Sequence, residues 1–293
     1  MTQFLILFAV AALDPSLTRL QAEDARVAAM SWRLQTANAP LCPKTSRISG
    51  ISIHALSQYR PGQRAAAAAQ FGLGAHPVVA AVAPDSAAGH AGLKPGDALI
   101  AIDGQPTPLV NPGAGYAPVG QTEAMLDAAL GHSPVDLRIS RKGTEQSVTL
   151  VGDTGCASRV QIVAGGSINA QADGNYVQIN SAMLDFAAND DELAVIVGHE
   201  LAHNILRHIA LKTPSKTAEY QADRLGVWLM ARAGYDVNAV VPFWTRFEKR
   251  TNTGIFADGS HPSPKRRLAA VAAAVAQLKA QRAAGQPLIP ITQ

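Results

Sequence analysis

The feature that most constrains this chain is the block from Leu193 to Leu206, an almost continuous apolar run with His199-Glu200-Leu201-Ala202-His203 at its centre. Leu193, Val195, Ile196, Val197, Leu201, Ile205 and Leu206 leave a helix there with almost no polar face, so it must lie inside the fold. Burying two imidazoles and a carboxylate without partners costs several kcal/mol, so the fold must pair them or give them a metal ion. Residues four apart stand one above the other on a helix, which lets both imidazoles reach one ion. Glu200 stands about 100° round from His199, beside such an ion without blocking it, and suits proton transfer from a water. An HExxH spacing on a helix therefore points to a metal centre with a built-in base.

A catalytic zinc takes three protein ligands and keeps one position open. With the helix expected over Asp191–Lys212, His208 points about 140° from His203 and about 180° from His199, away from the ion. The metzincin pattern requires Gly and His where this chain has Leu206 and Ile209. Glu219 follows in Ala218-Glu219-Tyr220-Gln221-Ala222-Asp223, just after Thr213-Pro214-Ser215 breaks the chain and lets the next helix fold back. Asp223 lies one turn beyond Glu219 on the same face, which provides a ligand and a carboxylate to orient a ligand imidazole.

The 293 residues give room for about two domains. Apolar residues form 47% of the chain and charged residues 16%, enough for a sizeable core, and 54 alanines favour long helices over a large aromatic interior. The net charge of +3 comes from scattered basic residues, which excludes the clustered face a nucleic acid requires. Phe4–Leu13 is too short an apolar run to span a bilayer. It has the length of a signal-peptide core, with Ala9-Val10-Ala11 for cleavage, yet the first basic residue is Arg19. Residues 1–13 read either as a signal segment or as the buried start of a helix. No other run is long enough for a membrane span, which leaves peripheral association as the membrane contact the pattern allows. Cys42 and Cys156 fit neither a zinc knuckle nor a CxxC pair. In an exported chain they read as a disulfide contributing roughly 4–5 kcal/mol by loop closure; in a cytosolic chain, as two buried thiols. Export to the periplasm is the expectation.

Asp14-Pro15 is a helix start, and the helical spacing of Leu17, Leu20, Val27, Met30 and Leu34 runs to Asn38 before Pro40 and Pro43, giving an N-terminal helical segment over 14–46. Strands are expected at Gly50–Ile53, Val78–Val82, Val135–Ile139 and Gln146–Val151, with helices at Arg64–Gln70 and Gln121–Leu130 and a loop insertion over Pro106–Gly120. The stretch from Val82 to Gly104, with Gly92, Gly96, Asp97 and the Asp103-Gly104 turn, resembles a PDZ domain of the bacterial protease-associated kind, over about 47–152. The resemblance implies a peptide-pairing edge, with Gly50–Ile53 preferred over Phe71–Gly74. Residues 153–293 follow, with strands at Val160–Val163 and Tyr176–Ile179 and helices at Ser181–Ala188, Asp191–Lys212, Thr217–Ala233 and Pro264–Ala284.

Over about 160–275 the chain resembles the gluzincin peptidases of the HtpX, BepA, Oma and CaaX-prenyl-protease type. Asn180-Ser181-Ala182-Met183-Leu184, Asp190-Asp191-Glu192-Leu193-Ala194, Gly198 to His203, Glu219 to Asp223 and Ser260-His261-Pro262 with Arg267 carry the likeness. It implies one zinc ion on His199, His203 and Glu219, with Glu200 as general base and Asp223 and Arg267 supporting the ligands. It further implies that His261 gates the metal or stabilises the oxyanion. The strand Tyr176, Val177, Gln178 and Ile179 is implied to line the cleft, where an extended substrate adds to it. The expected fold is α+β: a mainly helical zincin-type domain with a small edge sheet, plus a β-rich PDZ-like domain. The expected activity is zinc-dependent endoproteolysis of protein or peptide substrates, with the PDZ-like domain selecting substrates or regulating. The competing expectation is a chaperone-like peptide-binding protein whose zinc is structural or latched by His261 as a fourth ligand.

Overall fold

The computed structural model describes residues 13–251 and 263–290. In chain order its elements are α1 (Pro15–Asn38), β1 (Thr45–Ile48), β2 (Ile51–His54), α2 (Arg64–Phe71), β3 (Val78–Val82), α3 (Ala87–His90), β4 (Ala98–Ile102), β5 (Gln105–Pro106), α4 (Ala117–Leu130), β6 (Val135–Arg141) and β7 (Thr144–Leu150). They continue with β8 (Asp153–Cys156), β9 (Arg159–Val163), β10 (Ala170–Ala172), β11 (Tyr176–Asn180), α5 (Ser181–Phe186), α6 (Asp190–Ile205), α7 (Ser215–Arg232), α8 (Val240–Thr251) and α9 (Pro264–Ala283). The fold class is α+β, as the pattern of the chain implies.

The first unit is an antiparallel sheet in the order β2-β3-β4-β6-β7, with β5 paired to β4. Alternation along a strand sends neighbouring side chains to opposite faces. Val79 therefore joins Leu99, Leu137, Ile139 and the α4 residues Leu126 and Leu130, whereas Val78 joins Ala67, Phe71, Leu73 and Leu17 of α1 on the other side. The second unit packs α5 to α9 against a three-stranded sheet in the order β10-β11-β9. Its core contains Trp228, Phe243, Leu193 and Leu201, together with Val27, Met30 and Leu34 from the latter part of α1.

One helix thus serves two cores. α1 starts with Asp14 Oδ1 accepting from the backbone N–H of Ser16 at 2.8 Å, and its first turn packs on the sheet unit while its last turns pack on the helical unit. Between the units β1 pairs with β8, and Cys42 is bonded to Cys156 beside that pair. Arg159 of β9 reaches α4, donating to Asp127 Oδ1 at 2.6 Å and to the Glu123 carbonyl at 3.2 Å.

Several expectations need correction. The helix expected to reach Lys212 ends at Ile205. Arg207 there adopts a left-handed φ of 57°, with His208 N–H donating to the His203 carbonyl and Arg207 N–H to that of Asn204, both at 3.1 Å. This is a Schellman stop with arginine where glycine is usual. α4 begins inside the stretch expected to be a loop insertion, and α8 lay outside the expected elements. The signal segment, apart from Leu13, and His261 lie outside the described residues. Among the described residues no helix is long and apolar enough to cross a membrane.

Candidate metal centre

The site depends on how closely α6 and α7 approach. A Cβ on Gly226 of α7 would stand 3.1 Å from the backbone N of His199 and 3.3 Å from the carbonyl carbon of Gly198. Two facing glycines let the helix backbones touch, and that brings Glu219 of α7 up to the histidines of α6. The α6 start is fixed by Asn189, whose Oδ1 accepts from Glu192 N–H at 3.0 Å, and by Asp190, Asp191 and Glu192 in its first turn.

His199, His203 and Glu219 converge as a group able to hold one ion. Nε2 of His199 and Nε2 of His203 are 3.2 Å apart, and they lie 3.5 and 3.6 Å from the two carboxylate oxygens of Glu219. A tetrahedral zinc with bonds of about 2.0–2.1 Å needs ligand atoms about 3.3–3.4 Å apart. The two Nε2 atoms, and each of them with the Glu219 oxygen that faces it, lie near that spacing, and two imidazole Nε2 atoms at contact distance repel each other unless a cation or proton lies between them.

Each donor is held from behind. Nδ1 of His199 lies 2.9 Å from Asp223 Oδ1, although its N–H is not aimed straight at that oxygen. Asp223 in turn receives Nε and Nη2 of Arg267, both at 2.9 Å. The Arg267 guanidinium is 3% exposed, stacks 3.7 Å over the Trp244 ring and stands 3.6 Å from Glu219. Burial would raise Asp223, but Arg267 and His199 hold it below the usual carboxylate range. Glu219 is likewise held low: burial opposes ionisation, and His199, Arg267 and His203 overcome it. Burial alone would depress His199, yet Asp223 and Glu219 push it up to about 10 in the metal-free protein. Burial and the charge of His199 press His203 down to about 3, leaving a neutral imidazole suited to ligation.

Glu200 is buried beside the donors, where the nearby backbone N–H of Ala172 in β10 favours its charged form. Burial, with help from Glu219, raises its carboxyl to about 7 against the lowering pull of His199 and Arg267. A base with this pKa is poised for proton transfer near neutral pH.

The expected cleft strand needs revision. Tyr176, Val177, Gln178 and Ile179 belong to β11, the middle strand, which pairs antiparallel with β10 and parallel with β9. With both edges of β11 occupied, an extended chain cannot add to it; the strand beside Glu200 is β10, at the rim of the sheet. His208, expected to point away from the centre, stands behind His203 because α6 stops early. Trp244 was also unforeseen, though Val240, Phe243, Trp244 and Phe247 recur at helical spacing and signal a buried face. Asn204 clamps the sheet to α6: its Nδ2 donates to Ser158 Oγ at 2.9 Å and to the Tyr176 carbonyl at 3.1 Å, and its Oδ1 accepts from Gly174 N–H at 2.7 Å.

The Peptidase family M48 model matches residues 151–214 and 209–275, the stretch that supplies every one of these groups, and a PDZ domain model matches residues 78–116. Residues 151–275 are thus similar to Peptidase family M48. Among curated relatives, the mitochondrial metalloendopeptidase OMA1 of Saccharomyces cerevisiae is 28% identical over 136 residues, covering 32% of this chain and 39% of that protein. Its namesake from Schizosaccharomyces pombe is 25% identical over 133 residues, covering 32% of this chain and 40% of that protein. The chain thus spans about two fifths of the length of these relatives. The M48-like segment reaches the first unit through the Arg159 contacts to α4.

Proposed function

We propose that the chain is a zinc-dependent metalloendopeptidase that hydrolyses peptide bonds in protein substrates. The observation that carries this reading is the convergence of the His199 and His203 Nε2 atoms, 3.2 Å apart, on the Glu219 carboxylate, whose two oxygens face them at 3.5 and 3.6 Å, with the Glu200 carboxylate next to them. A single zinc ion would be held there by His199, His203 and Glu219, and would supply Lewis acidity and lower the pKa of a water toward neutral. Glu200, its carboxyl raised by burial, takes the proton of the attacking water and passes it to the leaving amine nitrogen. Asp223 fixes the His199 ring, and the positive charge of Arg267 keeps both carboxylates ionised within the buried site. An extended substrate pairs with the outer edge of β10, where β-strand addition aligns its scissile carbonyl with Glu200. His261 is the proposed oxyanion donor: it precedes Pro264, the first residue of α9, by three residues, and Arg267 of the same helix reaches Glu219.

The PDZ region is proposed to select or position substrates, since β2 ends its sheet and leaves an edge for peptide pairing. An oxidising compartment, the periplasm in a bacterium, is the proposed location, and the Cys42–Cys156 bond supports it. The test compares cleavage of an unfolded protein by wild type and Glu200→Gln, both loaded with zinc. A loss of about 10²-fold or more is expected from removing the base; equal turnover removes the enzyme assignment.

A further inference from the structure

We propose that His208, itself held by Gln221, is the positioning residue that fixes the tautomer and ring orientation of His203. The inference rests on the metal reading above and deepens it. Nδ1 of His208 lies 2.9 Å from Nδ1 of His203, and Nε2 of His208 lies 3.1 Å from Oε1 of Gln221. His208 is only 5% exposed, so its ring must be satisfied by these neighbours.

The direction of the chain follows from valence. A neutral imidazole carries one N–H and one lone pair. To offer its Nε2 lone pair beside His199 and Glu219, His203 must carry its proton on Nδ1. His208 Nδ1 must then accept the hydrogen bond from that N–H, so His208 carries its own proton on Nε2. That Nε2–H needs an acceptor, and the structure presents the carbonyl oxygen of Gln221. Turning the amide round would reverse every bond in the chain and place a proton on the nitrogen that ligates. One arrangement is compatible with metal binding, and the Gln221 Oε1 that faces His208 Nε2 agrees with it.

The backbone builds this contact. The early stop of α6 makes Arg207 the left-handed residue and His208 the next, and in a Schellman stop that next residue packs against the residue five before it. Here that residue is His203. Continued as a helix, the chain would have turned His208 away. The α7 helix therefore orients both metal histidines: Asp223 acts on His199 directly, and Gln221 acts on His203 through His208. The two supports differ in charge, since the first is a carboxylate neutralised by Arg267 and the second a neutral amide.

The experiment measures zinc affinity by chelator competition for wild type, His208→Ala, His208→Gln and Gln221→Met. Losing a partner that orients a ligand weakens metal binding by about 10–100-fold, which is the expectation for His208→Ala. His208→Gln retains a carbonyl acceptor and should recover most of the loss. Gln221→Met, at an exposed position, should weaken binding without altering the unfolding of the metal-free protein. Long-range ¹H–¹⁵N spectra of the zinc-loaded wild type should show His203 protonated on Nδ1 and His208 on Nε2. A His208 protonated on Nδ1, or wild-type affinity in both His208→Ala and Gln221→Met, overturns the inference while leaving the metal site intact. If His208→Ala does not fold, Gln221→Met and the wild-type spectrum decide. A wild type that takes up no zinc instead removes the metal reading, and the inference with it.

Discussion

Replacing Gly226 with alanine probes the joint on which the metal site is built. The new methyl would stand 3.1 Å from His199 N and 3.3 Å from both His199 Cα and Gly198 C. Ordinary carbon contacts lie at about 3.5–4.0 Å, so the intrusion is about 0.3–0.7 Å. All three neighbours are helix backbone, which cannot swing aside as a flexible side chain can. α7 must therefore move away from α6 by a similar distance. Overpacking of this kind costs about 1–3 kcal/mol, and alanine returns at most about 1 kcal/mol in helix propensity. The expected net loss is about 0–2 kcal/mol. The same displacement carries Glu219 away from His199 and His203, whose oxygens already lie 3.5 and 3.6 Å from the two Nε2 atoms. Opening those gaps toward 4 Å exceeds the spacing a tetrahedral zinc accepts, so zinc affinity should fall at least about tenfold. Urea unfolding of the metal-free protein reads the first effect and zinc competition the second. A Gly226→Ala protein as stable as wild type with unchanged zinc affinity would refute the close-contact argument.

Arg267→Met should strip the buried Asp223 of its cation and destabilise the protein by about 3–5 kcal/mol in urea unfolding, and Arg267→Lys should restore little, since lysine cannot reproduce the paired bonds from Nε and Nη2. Asp24 on α1 is raised to about 7, chiefly by burial and then by Glu23, against 3.8 for the ordinary carboxyl. The folded state therefore holds a proton that the unfolded chain has lost, and this contribution to stability falls as pH rises from about 4 to about 7. Asp24→Asn should be more stable than wild type at pH 8 by roughly 1–3 kcal/mol and should lose that advantage toward pH 4; parallel curves in urea at both values would contradict this. Changing Cys42 and Cys156 together to serine should remove roughly 4–5 kcal/mol of loop-closure stabilisation, and intact-mass measurement without reductant should find the two cysteines joined in the wild type.

What the chain reveals before folding is what short-range spacing encodes. His199, Glu200 and His203 lie within one helical turn or so, and Glu219 and Asp223 within another, so periodicity alone puts each set on a face. Gly226 is visible in the sequence, but its contact with Gly198 is set by the crossing of two helices and has no local signature. The end of α6 is hidden for a similar reason: the left-handed position falls on Arg207, where glycine would have announced it. Reading that helix through to Lys212 sent His208 to the wrong side. β10 is only three residues long, too short for an alternating pattern, so only β9 and β11 of that sheet are legible in the sequence. Pro242 and the charged residues of α8 obscured the apolar spacing that brings Trp244 over Arg267. The PDZ region was more legible because its turns carry their own residues, such as Asp103-Gly104 between β4 and β5.

Anomalous diffraction at the zinc edge from zinc-soaked crystals tests the central claim most directly. The account predicts one ion about 2.0–2.2 Å from Nε2 of His199, Nε2 of His203 and a carboxylate oxygen of Glu219, with a fourth position not filled by protein. An ion bound elsewhere, or those three side chains diverging in the metal-soaked protein, would contradict it.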